Sequence, residues 1–445
     1  MKKEKQIDKY EEVEGPKVSF ESENFLDVNW VSRDLSDELV DTGKRSPGID
    51  KPFLVITLVI LLIGVIMVLS ASFARGYYMQ SDPLRLFTRQ LVFAISGVAL
   101  MMITSQISIR TVSRWSMQLL LVSIVLLVLV LVIGISVNGA RRWIGIGGEN
   151  SSLTFQPSEI AKLALILSFA QMICKLGKDR MKTFKFGVIP FAIVTGIMII
   201  LLRMEPHLSA IIIITALAAI MMFAGGTRFR WFLIAMAILV AMVSGFIFFQ
   251  LRTTVPEVGI RDVSMTTVRE NLDLSGMGYE GRRISAWLNP DADPLNSGFQ
   301  IRQSLNAVGS GGLLGLGLGQ SRQKHLYLPE EHNDYIFAIV CEELGFIGAM
   351  LILMLFVLLI IRGYWLAMNA NDKFSSLITI GITSLLALQV FLNIAVVTNL
   401  VPATGISLPF FSYGGTALWI QLVQIGIILA VSREIPVTRE KAGKA

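Results

Sequence analysis

Two aspartates, Asp291 and Asp293, lie in the stretch NPDADPLNSGFQ, and two glutamates, Glu342 and Glu343, follow further along inside a long apolar run. Between them stand six glycines from Gly309 to Gly319, the basic residues Arg322 and Lys324, and a second acidic cluster in YLPEEHNDYIF. A plain connector does not need this variety. A second constellation, NGARRWIGIGGENSSLTFQPSEIAK, carries Arg141 and Arg142 and then, one helical turn apart, Glu159 and Lys162, with Pro157 suited to a first helical turn. Ionisable groups at membrane depth usually face a polar cavity and mark a substrate path, and this covers Glu342 and Glu343 as well. For Glu159 and Lys162 the competing reading is an interfacial salt bridge. The glycine run suits close helix packing or lipid-headgroup contact; it lacks a Walker pattern for phosphate cradling. His207, His325 and His332 all fall on segments of one parity, but their spacing matches no zinc pattern.

These groups must be positioned by a membrane protein. Of the 445 residues, 53% are apolar and only 16% charged, and the mean hydropathy is +0.64. A run of about 20 apolar residues crosses the hydrocarbon layer as a helix, because only internal hydrogen bonds can satisfy its backbone there. The sequence predicts an all-α integral membrane protein with about ten such spans, starting near Phe53, Leu86, Trp115, Pro157, Phe186, Leu208, Trp231, Tyr335, Phe374 and Tyr413. A large extracytoplasmic loop, residues 250–334, separates spans 7 and 8. Lys175, Lys178, Arg180, Lys182 and Lys185 crowd one short loop, and Arg110, Arg114, Arg228, Arg230, Arg362 and Lys373 fall on loops of the same parity. Those loops and both termini are therefore expected in the cytoplasm. The remaining loops, which carry most of the unusual chemistry, face outward.

Residues 1–52 read as a mostly disordered cytoplasmic tail, residues 53–431 as the membrane domain and residues 432–445 as a second tail. Met1–Lys51 holds 13 acidic and 9 basic residues, so the excess of 39 basic over 33 acidic residues belongs to the remainder. Residues 263–288 suit short amphipathic helices on the outer surface. VPATGISLPFFSYGG, with two prolines and a glycine pair, reads either as a kinked or re-entrant segment lining a cavity or as an outer turn. Cys174 and Cys341 fall in different spans near opposite faces, too far apart to bridge.

Five separated motifs, NGARRWI, FQPSEIAKL, DPLNSGFQIRQSLNAVGSGGLLGLGLG, YLPEEHNDYIFAIVCEELG and LPFFSYGG, occur in order along nearly everything after the tail. Together they resemble the SEDS family, the shape, elongation, division and sporulation proteins represented by RodA, FtsW and SpoVE. GLGLGQSRQK resembles the FtsW and SpoVE types more than RodA. The resemblance implies a peptidoglycan glycosyltransferase, used in division or sporulation, that polymerises lipid II at the outer face of the cytoplasmic membrane. It implies a class B penicillin-binding protein as transpeptidase partner, with divisome or sporulation proteins and membrane lipid around it, and no nucleic acid. A lipid II flippase and a non-catalytic scaffold for that partner remain alternatives on the same fold.

The family's catalytic aspartate precedes the proline of DPLNSGFQ, which is Asp293 here. Glu159, Lys162, Arg141 and Arg142 match its sensitive acidic and basic positions, and Arg282, Arg283, Ser304 and Glu343 complete the implied substrate-binding set. The implied reaction joins a sugar hydroxyl to an anomeric carbon with inversion, so Asp293 is either the general base or the ligand of a divalent cation, Mg or Mn. No organic cofactor is implied. One departure concerns a Gln-Pro-Asp turn common in the family, where this chain reads Glu205, Pro206 and His207. The role of that aspartate does not transfer to His207.

Overall fold

The computed structural model describes residues 48–79, 82–137, 140–145, 154–254, 278–290 and 297–435. The expected N-terminal tail up to residue 47, the C-terminal tail from 436, the segment 263–277 and both Asp291 and Asp293 lie outside the described residues. In chain order, α1 (Lys51–Met79), α2 (Arg85–Thr104) and α3 (Ile109–Ile133) precede three short strands, β1 (Ile135–Val137), β2 (Ala140–Gly145) and β3 (Thr154–Phe155). Next come α4 (Pro157–Met181), α5 (Phe184–Gly187), α6 (Ile189–Met204), α7 (Leu208–Ala224) and α8 (Phe229–Thr254). The long loop contributes α9 (Gly278–Leu288) and α10 (Ser297–Ser310), and α11 (Ile336–Met368), α12 (Lys373–Val397) and α13 (Gly415–Glu434) complete the bundle.

Among the described residues, 8 helices are long and apolar enough to cross a membrane, with Phe184–Met204 counted as one. The expected sixth span corresponds to a shorter apolar helix, Leu208–Ala224, and the seventh falls within the 26-residue α8, which is apolar over Phe229–Met242. The all-α architecture carries one small β element. β1 pairs antiparallel with β2, and β2 with β3, setting Ile144 opposite Phe155. The signal was present in the sequence: Asn138-Gly139 between β1 and β2 is a dipeptide favoured in tight hairpins.

The most buried spans are α4, α12 and α13, with α13 packed on α2, α4 on α3, and α11 on α12 and α1. Several ends gather on one face of the bundle. Asp50 accepts from Phe53 N at the start of α1 (2.9 Å) and pairs with Arg362 of α11 at 2.6 Å, while its own N–H donates to Ser432 Oγ at 3.1 Å. Arg433 of α13 donates to Ser105 O at 3.1 Å. β2, β3, the α6–α7 turn and the segment 401–414 stand at the opposite ends of their helices.

α11 has 33 residues, about 50 Å at 1.5 Å per residue, longer than a hydrocarbon layer of about 30 Å. It is broken at Gly345, whose φ is 68°. The glycine run after α10 takes up the backbone groups freed by that break. Leu316 N and Gly317 N donate to Glu342 O and Glu343 O, each at 3.0 Å. Phe346 N and Ile347 N donate to Gly312 O at 2.9 Å and Leu313 O at 3.1 Å. Irregular backbone at membrane depth persists only when paired in this way. The packing reading of the glycine run is thus the one the geometry bears out.

A pair of substitutions tests this contact. At Gly315, φ is 80° and a Cβ would stand 2.2 Å from Glu343 O, whereas at Gly319, φ is 81° and nothing lies within 4 Å. Gly319→Ala carries only the left-handed backbone cost, about 1–2 kcal/mol. Gly315→Ala adds overpacking, about 1–3 kcal/mol more. Thermal melting in detergent should rank Gly315→Ala clearly below Gly319→Ala; equal melting temperatures would show that the backbone contact contributes nothing.

Candidate active site

All five of the separated sequence motifs contribute to one cavity of about 770 Å³. β2 supplies Arg142, the start of α4 supplies Glu159 and Lys162, and the α6–α7 turn supplies His207. Arg283 comes from α9 and Gln300 from α10, while Glu330, Asn333 and Asp334 come from the segment before α11. More of the wall comes from the segment 403–415, with Gln389 of α12 and Gln421 of α13.

Each charged group is placed by identifiable contacts. Pro157 sits in the first turn of α4, where its missing N–H costs nothing, and the helix then presents positions 159 and 162 on one side. Lys162 Nζ lies 2.8 Å from Glu159 Oε1, with the two side chains 3% and 9% exposed. The salt bridge and the cavity position therefore coexist; the two readings of this pair do not exclude each other. Arg142 reaches across to the α6–α7 turn, donating to Glu205 O at 3.4 Å and to Pro206 O. Arg283 donates to Ala403 O at 2.9 Å, and Trp287, one turn on, donates to Asn399 O at 3.1 Å. These bonds tie α9 to the chain that follows α12.

The segment 401–414 is the re-entrant element that the paired prolines left open. It carries no helix, yet Ala403, Ile406, Leu408, Phe410 and Phe411 are buried. A Cβ on Gly64, near the middle of α1, would meet Phe410 O at 2.3 Å, so the segment reaches the centre of that span. Its polar backbone is met by side chains: Gln421 Oε1 accepts from Phe410 N at 3.1 Å, Ser412 Oγ from Leu408 N at 2.7 Å, and Asn393 Nδ2 donates to Ile406 O at 2.7 Å. This accounts for amides inside otherwise apolar helices.

Burial sets the charge states at the outer rim. It pushes the Glu205 carboxyl up to about 8, against the opposing pull of Arg142. It holds the His207 imidazole well below its ordinary value, with Arg142 and Lys162 adding to the effect. Both groups are therefore neutral near pH 7. Asp334 is raised to about 6 by burial, with Arg283 opposing.

Four residues of the expected site set, Arg142, Glu159, Lys162 and Arg283, line the cavity together. Arg141 and Arg282 are exposed and do not line it. Ser304 is buried against α12, donating to Val397 O at 2.8 Å, and Glu343 is sealed beneath the glycine run. Glu343 binds Lys324 Nζ at 3.0 Å and Ser70 Oγ at 2.7 Å, while Glu342 accepts from Arg322 N at 3.1 Å and Gln323 N at 3.3 Å. These two glutamates and Ser304 fix structure instead of lining the cavity: a carboxylate two turns into a span is equally suited to bind a neighbouring loop. Asp293 lies outside the described residues, between Arg283 and Gln300 of the chain, both of which line the cavity. Glu330 and Asp334 belong to the acidic cluster of YLPEEHNDYIF, where an acid stands directly before an apolar run, whereas Gln389 and Gln421 carry no comparable signal in the sequence.

The histidines do not meet. His325 packs its ring 6.1 Å from Tyr78, His332 leans on Glu331 and His207 is in the cavity. Among the described residues no group of three or more His, Cys, Asp and Glu side chains is gathered for a metal. Three acids line the cavity: Glu159, held by Lys162, and Glu330 and Asp334 of the segment before α11.

The chain is similar to known proteins over most of its length. Stage V sporulation protein E of Bacillus subtilis is 41% identical over 88% of this chain and 98% of its own length. A protein named probable peptidoglycan glycosyltransferase FtsW, of Trichlorobacter lovleyi, is 38% identical over 89% of this chain and 96% of its own. Among solved structures, a chain of a peptidoglycan synthase complex that coordinates polymerization and crosslinking superposes with a TM-score of 0.67 at 26% identity, covering 88% of this chain and 99% of that one. The rod shape determining protein RodA of Thermus thermophilus superposes with a TM-score of 0.60 at 25% identity, covering 88% and 98%. The model of the FtsW, RodA and SpoVE cell cycle proteins matches residues 51–436, and the chain belongs to that family.

Proposed function

We infer that the protein is a peptidoglycan glycosyltransferase of the cytoplasmic membrane that polymerises lipid II into glycan strands at the outer face, for division or sporulation. One observation carries the reading: separated outer-loop motifs, three of them bearing cations, meet in a single polar cavity beside a re-entrant segment. The relatives named above as a glycosyltransferase and as part of a synthase complex support it. The basic residues on the face that carries Asp50 and Arg433 favour a cytoplasmic position for that face and for both termini.

The reaction displaces a diphosphate from an anomeric carbon by a sugar hydroxyl, with inversion. The departing group gains charge, which cations held in a poorly solvated site compensate strongly. Arg142, Lys162 and Arg283 are assigned this role. The attacking hydroxyl must lose a proton, and Asp293 is assigned as the carboxylate that takes it. A divalent cation, when bound, would supply further charge neutralisation to the phosphates. The lipid carrier stays in the bilayer while its headgroup enters the cavity. A crosslinking transpeptidase, a class B penicillin-binding protein, is the proposed partner, along with divisome or sporulation proteins.

The test is incubation of the purified protein and its transpeptidase partner with lipid II. Wild type is expected to yield glycan chains and Asp293→Ala is expected to yield about a hundredfold to ten-thousandfold fewer, the range for loss of a positioned base. Undiminished polymer from Asp293→Ala would remove that residue from the reaction. Headgroup transport into sealed vesicles without polymer would reassign the protein as a flippase.

A further inference from the structure

Asp334 is a cavity carboxylate whose side chain accepts no hydrogen bond among the described residues. Its backbone, in contrast, is firmly fixed. Asn393 of α12 donates Nδ2–H to Asp334 O at 2.8 Å, Ser412 Oγ holds the preceding Asn333 O at 2.8 Å, and the following Tyr335 is buried. Opposite the carboxylate is Gly405, with φ 75°, where a Cβ would stand 3.1 Å from Asp334 Oδ2 and 3.5 Å from Arg283 Nη1. Asp334 and Arg283 therefore converge over a residue that leaves room for both. Arg283 is anchored in turn on Ala403 O. The other charged groups facing Asp334 are Arg142 from β2 and Glu330 and His332 from its own segment.

An ionised carboxylate is acceptor-only, so whatever fills the cavity must bring it N–H or O–H donors. A diphosphate brings none and is repelled; its natural place is with Arg142 and Lys162. A sugar brings hydroxyls and an amide N–H. We propose that Asp334 is a further catalytic residue of this site: its carboxylate accepts a hydrogen bond from a hydroxyl or amide donor of the disaccharide, and Arg283 beside it balances its charge. The proposal rests on the polymerase reading above.

Burial raises this carboxyl to about 6. The accepting form is therefore present above that value and is lost as pH falls through it. The experiment measures kcat/KM for lipid II polymerisation by the full chain with its partner, from about pH 5 to pH 8. Wild type should lose activity below about 6. D334N should show a drop of about tenfold to a hundredfold at pH 7.5, mostly in KM, and lose the acidic limb. D334E should keep the limb with intermediate activity, and it decides the matter if the melting temperature of D334N shows poor folding. Wild-type kcat/KM in D334N, or an unchanged limb, overturns the proposal. So does full recovery of D334N at high Mn concentration, which would make Asp334 a cation ligand. Absence of polymer from wild type would instead remove the polymerase reading and this assignment with it.

Discussion

Lys162→Met is expected to be among the most damaging single changes to this protein, in both stability and activity. Its ammonium and the Glu159 carboxylate form a 2.8 Å pair with side chains 3% and 9% exposed, so the substitution strands a carboxylate almost out of water. Breaking a buried pair from one side costs about 3–5 kcal/mol, while replacing both partners by groups of similar volume is often close to neutral. The double variant Glu159→Leu with Lys162→Met should therefore recover the melting temperature lost by Lys162→Met alone. Polymerisation should not recover with it, because a cation of the cavity wall is gone and an apolar surface stands in its place. Loss of one such charge-assisted contact in the transition state lowers turnover by about a hundredfold to a thousandfold. Recovery of both stability and polymer in the double variant would reduce the pair to a structural salt bridge.

The legible part of this site follows from which physical signals are local. Hydropathy located the membrane helices because the bilayer imposes one length and one polarity on each. It was least informative for Leu208–Ala224, which is apolar but has only 17 residues. The proline of FQPSEIAK placed Glu159 and Lys162 on one helix face because N-terminal prolines and one-turn spacing are properties of the chain itself. Nothing local distinguishes Glu343 from Glu159, however. Both are acids within a turn or two of a span's outer end; one lines the cavity and the other binds Lys324 beneath the glycine run. Partners far apart in the chain decide between the two fates. Asp334 does not stand out within its acidic cluster for the same reason, since its standing depends on Arg283, Asn393 and Gly405, none of which is its neighbour in sequence.

The segment that carries Asp334 is itself held by a second buried ion pair, and its removal should be asymmetric. Arg75 of α1 binds Glu331 through two bonds, Nε to Oε1 at 2.8 Å and Nη2 to Oε2 at 3.0 Å. The Arg75 side chain is 24% exposed and that of Glu331 is fully enclosed. Glu331→Gln leaves a guanidinium that still reaches water, so the loss should fall near the lower end of the range for breaking a buried pair. Arg75→Met leaves a carboxylate with only His332 beside it at 3.6 Å, and should cost about 3–5 kcal/mol. Burial by itself would raise the Glu331 carboxyl, but the neighbouring His332 and the Arg75 guanidinium outweigh it and hold the group below its ordinary value. A lowered carboxyl contributes stability above its unfolded value of about 4.5 and loses that contribution as pH falls through the folded value. Wild type should therefore melt progressively lower as the medium is acidified past about 4.5. In Arg75→Met one of the two opposing partners is gone and only His332 remains against burial, so the acid-induced loss of stability should be smaller than in wild type. Parallel acid-induced losses in the two proteins would mean that the pair does not govern the ionisation of Glu331. Because the same turn positions Glu330, Asn333 and Asp334 at the cavity, polymerisation should fall along with stability in Arg75→Met, linking the outer end of α1 to the reaction centre through one carboxylate.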